Sequence, residues 1–232
     1  MPSYRSITVA RLSLIIALLA LLAFTEGAGQ DHLTTLAVTG LFTTSSELYY
    51  NIDDPNPFAR TQFVSLDNIY GLGFDVRRRI EGTDVELGFN ADYITKRESF
   101  FDPSSGVTVE DGYDVIPIEA TGYFIVPFSS NRVQMYMGGG IGTYIGSRSY
   151  RYGSVDARVL SRKPGFGIHV LTGFNYFINP SVALRGELKF RDAQFESTNA
   201  LPSSGTYQSA QPLTSRIEID GMTFLVGLAY RF

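Results

Sequence analysis

The closing stretch GMTFLVGLAYRF, residues 221–232, decides how the rest of the chain is read. Phe224, Val226, Leu228, Tyr230 and Phe232 fall on every second position, with Leu225, Gly227, Ala229 and Arg231 between them. A period of two sends alternate side chains to opposite faces of a strand. One face is therefore wholly apolar and aromatic, and the other is small and ends in a charge. Left uncovered, a strand this apolar is an aggregation hazard. Its apolar face needs a cover, and lipid is one candidate.

The same alternation runs back through the chain in eight segments. The first is Leu33–Thr44, with Leu36, Val38 and Phe42 on one face. The second, Asn68–Ile80, sets Tyr70, Leu72, Phe74 and Val76 against Asp75, Arg77 and Arg79. The third is Val85–Thr95, and the fourth is Val115–Phe128. In the fourth, Pro117 lacks a ladder donor and reads as a bulge or an end of pairing. Arg132–Ser147 and Gly165–Ile178 are the fifth and sixth. In the seventh, from Val182, the residues Val182, Leu184, Gly186, Leu188 and Phe190 alternate with Ala183, Arg185, Glu187, Lys189 and Arg191. Apolar-out with charged-in inverts the pattern of a soluble sheet protein. The charged face is also rich in glycine, so an oily core is not expected there.

Glu81-Gly82-Thr83-Asp84, Ser129-Ser130-Asn131 and Asn179-Pro180-Ser181 are tight turns. The other connections are polar loops of roughly 15–25 residues, and short turns alternating with long loops on an even strand count are the transmembrane barrel pattern. The expected fold is all-β, an eight-stranded antiparallel up-and-down transmembrane barrel. Residues 1–29 read as a signal peptide: Arg5 and Arg11 precede the apolar run Leu12–Phe24, and small residues at 27–29 place cleavage near 25–30. The run is short of the roughly 18 residues that cross a bilayer as a helix. Residues 30–232 are then the barrel, with three short periplasmic turns and four longer extracellular loops.

Composition narrows the function. The chain has no Cys, which excludes disulfides and Cys-ligated metals, and its net charge of −4 is spread along the chain. No nucleic-acid surface is expected, and no cofactor or metal. The inward charges are Arg77, Arg79, Arg185, Lys189 and Arg231 against Asp75, Glu86, Asp92, Glu119 and Glu187. Unpaired charge in a narrow lumen is costly, and an eight-stranded barrel is just wide enough for side chains to fill. A plugged, salt-bridged lumen follows. A turn centred near Gly82-Thr83 sets Arg79 opposite Glu86. One centred near Ser129-Ser130 sets Glu119 opposite Gly140, Thr121 opposite Gly138 and Tyr123 opposite Tyr136.

The alternating strands, the three tight turns and the terminal Tyr230-Arg231-Phe232 resemble the small outer-membrane barrel family of OmpA membrane domains and OmpX-like proteins. The resemblance covers nearly all of the chain after the signal peptide and carries no catalytic motif. It implies that the terminal strand with Phe224, Val226, Leu228, Tyr230 and Phe232 is read by the barrel-assembly machinery. It also implies that inward Glu, Arg and Lys, such as Glu119, Arg185, Glu187 and Lys189, fill the barrel. Expected partners are outer-membrane lipid, lipopolysaccharide and periplasmic chaperones, with a monomeric chain in the outer membrane. The chain ends on the barrel strand, so no peptidoglycan-binding domain and no tether to the cell wall is expected.

The expected role is structural or surface-interacting through the extracellular loops. Alternatives are a small-solute or hydrophobic-ligand channel, with Pro117 as a lateral gap, and a lipid A-modifying enzyme. For the enzyme, His32 stands at the mature N-terminus, while His169 points inward opposite Lys189 with Leu171 two positions on and no Ser on that face. Nucleophilic chemistry needs such a neighbour, so His169 reads as a lumen hydrogen-bonding group. Gly138–Gly142 lies inside a strand, without the strand-turn-helix of a phosphate loop. Asp53, Asp54, Asp102, Glu110 and Asp111 read as solvated loop acids rather than cation ligands. Arg148, Arg151, Arg158, Arg162 and Lys163 are loop cations placed to meet lipopolysaccharide phosphates.

Overall fold

The computed structural model describes residues 33–128, 130, 132–202 and 212–232. The signal segment, His32 and parts of the turn at 129–131 lie outside them. The strands are β1 (Thr34–Tyr49), β2 (Phe63–Arg79), β3 (Val85–Asp102), β4 (Val107–Ile125), β5 (Val133–Tyr152), β6 (Val155–Asp156), β7 (Arg158–Lys163), β8 (Gly165–Phe177), β9 (Val182–Ala200), β10 (Leu213–Ile219) and β11 (Met222–Arg231). One helical turn, α1 (Pro57–Arg60), is capped by the Asn56 side chain. All pairings are antiparallel and the ring closes, with β11 hydrogen-bonded to both β1 and β9. Counting β7 with β8 and β10 with β11, eight walls make the barrel. The apolar terminal strand is thus no edge.

In the lower part of every wall the outward side chains are bare: Leu72, Phe89, Ile141, Phe166, Val170 and Val226 are among the most exposed hydrophobics. Rings continue across the seam, with Phe42 5.4 Å from Tyr70 and 6.3 Å from Phe224 between centroids. Pro117 neither bulges nor ends its strand. It pairs with Tyr144 on β5, and the β3–β4 ladder merely skips two pairs, resuming in the same register at Ile94–Val115.

The walls are longer than a membrane needs. β1 to β5 run 16 to 20 residues, against about 9–11 for a crossing strand. Stretches that read as loops, such as 45–49, 63–67, 96–102 and 107–114, are paired strand. On β1, β2 and β4 their alternation has the opposite polarity, with Glu47, Ser65, Asp67 and Thr108 outward and Leu48, Leu66, Val109 and Tyr113 inward, while 96–102 keeps Phe100 and Phe101 exposed. The change of phase on β2 occurs at Asn68, whose φ of +56° is tolerated by Asn better than by most residues. Below it Ile69, Asp75 and Arg77 point inward; above it Leu66 does, and β1 shifts in step from Thr43 to Ser46 and Leu48.

This upper half is built like a soluble β-sandwich. β2 and β3 part above Tyr70–Thr95, and β5 and β8 part above Tyr144–Gly165. One sheet is β3-β4-β5 and the other β7-β9-β10-β1-β2. Between them lies an apolar core that includes Leu48, Leu66, Ile94, Tyr113, Val115, Phe195 and Ile217. The charged inner face thus does give way to an oily core, but only above the apolar band. Tyr113 crosses between the sheets, donating to Ser46 Oγ at 3.0 Å and meeting Phe195 edge-on at 6.0 Å.

Candidate functional site: the filled lumen

Two quartets of buried charge cross the lower lumen. In the first, β2 supplies Asp75 and Arg77, and β9 supplies Arg185 and Glu187. Arg77 Nε donates to Asp75 Oδ1 at 2.7 Å, and its guanidinium also pairs with Glu187, while Arg185 pairs with Asp75. Tyr136 donates to Glu187 at 2.7 Å, Asn90 donates to Asp75 at 2.9 Å, and Arg185 Nε donates to Asn175 at 2.9 Å. The Arg77 guanidinium lies 3.8 Å from the Tyr123 ring centroid. Each carboxylate therefore meets a cation and at least one neutral donor, as buried charge requires.

The second quartet is Asp92, Glu119, Lys189 and Arg191. Glu119 accepts from Lys189 Nζ at 2.7 Å, from Arg191 Nε at 2.8 Å and from Tyr144 at 2.8 Å. Arg191 also pairs with Asp92. Both Glu119 and Lys189 are 0% exposed. The long side chains fold over glycines directly across the ladder: Arg77 faces Gly88, Asp92 faces Gly73, Glu119 faces Gly142 and Glu187 faces Gly173. A Cβ on Gly142 would sit 2.8 Å from Glu119 Cγ, and one on Gly173 the same distance from Glu187 Cγ.

Of the ten charges expected to form one network, the structure brings together Asp75, Arg77, Asp92, Glu119, Arg185, Glu187 and Lys189. Arg79 and Glu86 are register partners, yet Arg79 turns to the rim and bonds Asp84 and the Thr83 carbonyl. Arg231 is half-buried near the rim and donates to Gln134 at 3.0 Å. Arg191 stands outside those ten, although it lies two positions beyond Lys189 on the same inward face. The polar Asp192 and Gln194 that follow mask the strand's continuation.

Two registers differ from the sequence expectation by two residues. Glu119 faces Gly142, Thr121 faces Gly140 and Tyr123 faces Gly138, so the turn centres one residue later than Ser129-Ser130. His169 faces Arg191, and Leu171 takes the place opposite Lys189. The shift gives His169 a hydroxyl neighbour from another strand: Thr121 Oγ1 lies 2.9 Å from Nε2, and Glu119 lies 3.9 Å from Nδ1. Hydroxyl, imidazole and carboxylate follow the order of a nucleophile triad. Thr121 also donates to Asn90 at 3.1 Å, and both Thr121 and His169 are buried. His169 Nδ1 has no hydrogen-bond partner among the described residues, so the imidazole–carboxylate bond of a triad is not made.

In the upper half, two residues read as loop charges are buried as a pair. Arg148 Nε and Nη2 donate to Asp111 at 2.8 and 2.6 Å, and Nη1 reaches Ser215 on the opposite sheet at 2.8 Å. Asn199 returns a bond to the Arg148 carbonyl at 3.0 Å. Arg148 is thus a latch between the sheets and is withdrawn from any surface anion. Replacing Arg148 with Met is expected to cost the upper half about 2 kcal/mol, the scale of charged hydrogen bonds lost. Limited proteolysis is the check: cleavage accelerates above Thr95 and Ser147, while the lower barrel keeps its heat-resistant compact form.

Of the other loop acids, Asp54 accepts from the Asn51 side chain and the Asn56 N–H. Arg151 pairs with Glu110 and Asp156. Asp102, at the β3–β4 tip, is held down to about 2 by hydrogen bonds from the Ser104 hydroxyl, then the Ser105 hydroxyl and the Ser104 amide. A carboxyl depressed below its unfolded value near 3.9 stabilises the tip above that pH and loses the contribution as pH falls toward 2. The Ser104 and Ser105 amide signals should therefore titrate with a midpoint near 2. A midpoint near the unfolded value of about 3.9 would show the tip to be open.

The closed ring, its bare apolar band and its charged interior define the class: a transmembrane β-barrel of eight walls. No protein-family model and no curated protein matches the chain. Among solved structures, the outer membrane protein OprG from Pseudomonas aeruginosa aligns over 86% of this chain and 95% of its own, with a TM-score of 0.61 and 11% identity. Neisserial surface protein A aligns over 88% and 100% with a TM-score of 0.48 and 14% identity. The outer membrane protease OmpT from Escherichia coli aligns over 90% and 99% with a TM-score of 0.47 and 11% identity. The likeness to OprG is one of fold, the small outer-membrane β-barrel.

Proposed function

We propose that the chain is an exported, monomeric outer-membrane protein whose barrel is closed to solutes and which works through its upper, two-sheet half. The observation that carries this reading is the pair of quartets spanning the lumen, capped by the apolar core between the upper sheets. In a low-dielectric interior such paired charges hold one another in place rather than passing ions. Both described ends of the barrel wall meet at the lower rim, where Thr34 and Phe232 exchange backbone hydrogen bonds. That rim faces the periplasm in this reading, and the upper half faces outward. The apolar band takes outer-membrane lipid, and Phe224 to Phe232 engage the assembly machinery during insertion, with periplasmic chaperones upstream. Arg158 and Arg162, exposed on β7, remain the cations available to lipopolysaccharide phosphate.

Planar-bilayer conductance of the refolded protein tests the closed lumen. The wild type is expected to be silent, and Glu119→Ala to show brief openings. Steady ion-selective steps in the wild type would make the protein a channel instead.

A further inference from the structure

Below the first quartet, the barrel ends in a recess of about 770 Å³. From Gln134 on its lining, hydrogen bonds through Asn175 lead to Arg185 of that quartet. Three guanidinium groups border it, from positions far apart in the chain: Arg79 at the end of β2, Arg132 just before β5 and Arg231 at the end of β11. One bordering residue, Asp84, is acidic, and Glu86 is buried opposite Arg79 on the ladder. Two of the guanidiniums are held in place. Arg79 is fixed by Asp84 and the Thr83 carbonyl. Arg231 is fixed by Gln134 and by the Phe177 ring, 4.3 Å from its centroid.

Fixed guanidinium forks around a half-enclosed space match the geometry of oxyanions. Asn179 adds an amide whose oxygen is already taken by the Ser181 and Val182 N–H groups at 2.9 and 2.8 Å, leaving its NH₂ as a donor. We propose that this lower vestibule is an oxyanion site that takes a phosphate group, presented either by a soluble phosphate or by the headgroup of an anionic lipid at the rim. The site needs the barrel to be folded but not the lumen to be closed, so conductance and phosphate binding are separate readouts.

The test follows the Arg Nε–Hε NMR signals of the refolded full chain in phosphatidylcholine nanodiscs. One arm titrates inorganic phosphate, and the other incorporates phosphatidylglycerol. The Arg231 signal is expected to shift saturably while Arg97, on the upper outer face, does not. Arg132→Gln, an exposed turn position, is expected to weaken binding roughly tenfold, the equivalent of one charge-assisted hydrogen bond. Arg132→Gln with Arg231→Gln abolishes it, read on the remaining Arg79 signal. Saturation by inorganic phosphate assigns the site to soluble oxyanions, and saturation only with phosphatidylglycerol assigns it to headgroups. No saturation in either arm, or unchanged affinity in Arg132→Gln, would overturn the proposal.

Discussion

Glu119→Ala is expected to destabilise the barrel by about 3–5 kcal/mol, the range for removing one partner of a buried ion pair. Glu119 accepts from Lys189, Arg191 and Tyr144 at once. Without it, two fully buried cations share the single carboxylate of Asp92, and one phenol loses its acceptor. Most of the loss is the desolvation of the stranded cations, which water regains only by entering the lumen. Glu119→Gln keeps one acceptor oxygen, enough for Tyr144 and Arg191 but with an NH₂ turned toward Lys189, and should cost less. Glu119→Leu with Lys189→Met removes one charge of each sign, leaves Arg191 paired with Asp92, and should recover much of the loss. Urea unfolding followed by the heat-modifiable gel shift measures all three. A double variant no better than Glu119→Ala would mean that packing, not charge pairing, holds this layer.

Gly140→Ala should also be severe, while Gly122→Ala, on the neighbouring strand, should be nearly silent. A Cβ on Gly140 would stand 1.9 Å from the Ala120 carbonyl oxygen and 2.9 Å from His169 Cε1. The first obstacle is backbone, so β4 must move and break its ladder with β5. The expected cost is about 3 kcal/mol, the upper end for overpacking. A Cβ on Gly122 meets nothing within 4 Å, and its effect should fall within about 0.5 kcal/mol. The same unfolding assay compares them. Equal losses would show that the glycines serve strand flexibility and not close approach.

The resemblance of the terminal strand to outer-membrane barrels and the fold itself agree because outward polarity is a local property. Phe224, Val226, Leu228 and Tyr230 need only a period of two to share a face, and lipid rewards that face directly. The register of β2 with β3 was equally local, since Gly82, at φ +73°, marks a tight turn that sets Arg79 opposite Glu86. The later turns carried no such mark: a centre displaced by one residue moves every partner by two without changing any face. That small shift gave His169 its Thr121 neighbour.

The upper half was hidden for a different reason. Its outward Ser, Thr, Asp and Arg compose like a loop, although Leu48, Leu66, Tyr113, Val115, Phe195 and Ile217 keep the strand period beneath them. By itself, then, the sequence determined the class of fold, the lipid-facing side chains and the inward charges as a set. Only the tertiary structure decided which charges meet. Asp75 and Arg185, or Glu119 and Arg191, lie far apart in the chain. They become neighbours because ring closure and the stagger of eight walls bring distant strands to one height, a relation among strands that no single strand encodes.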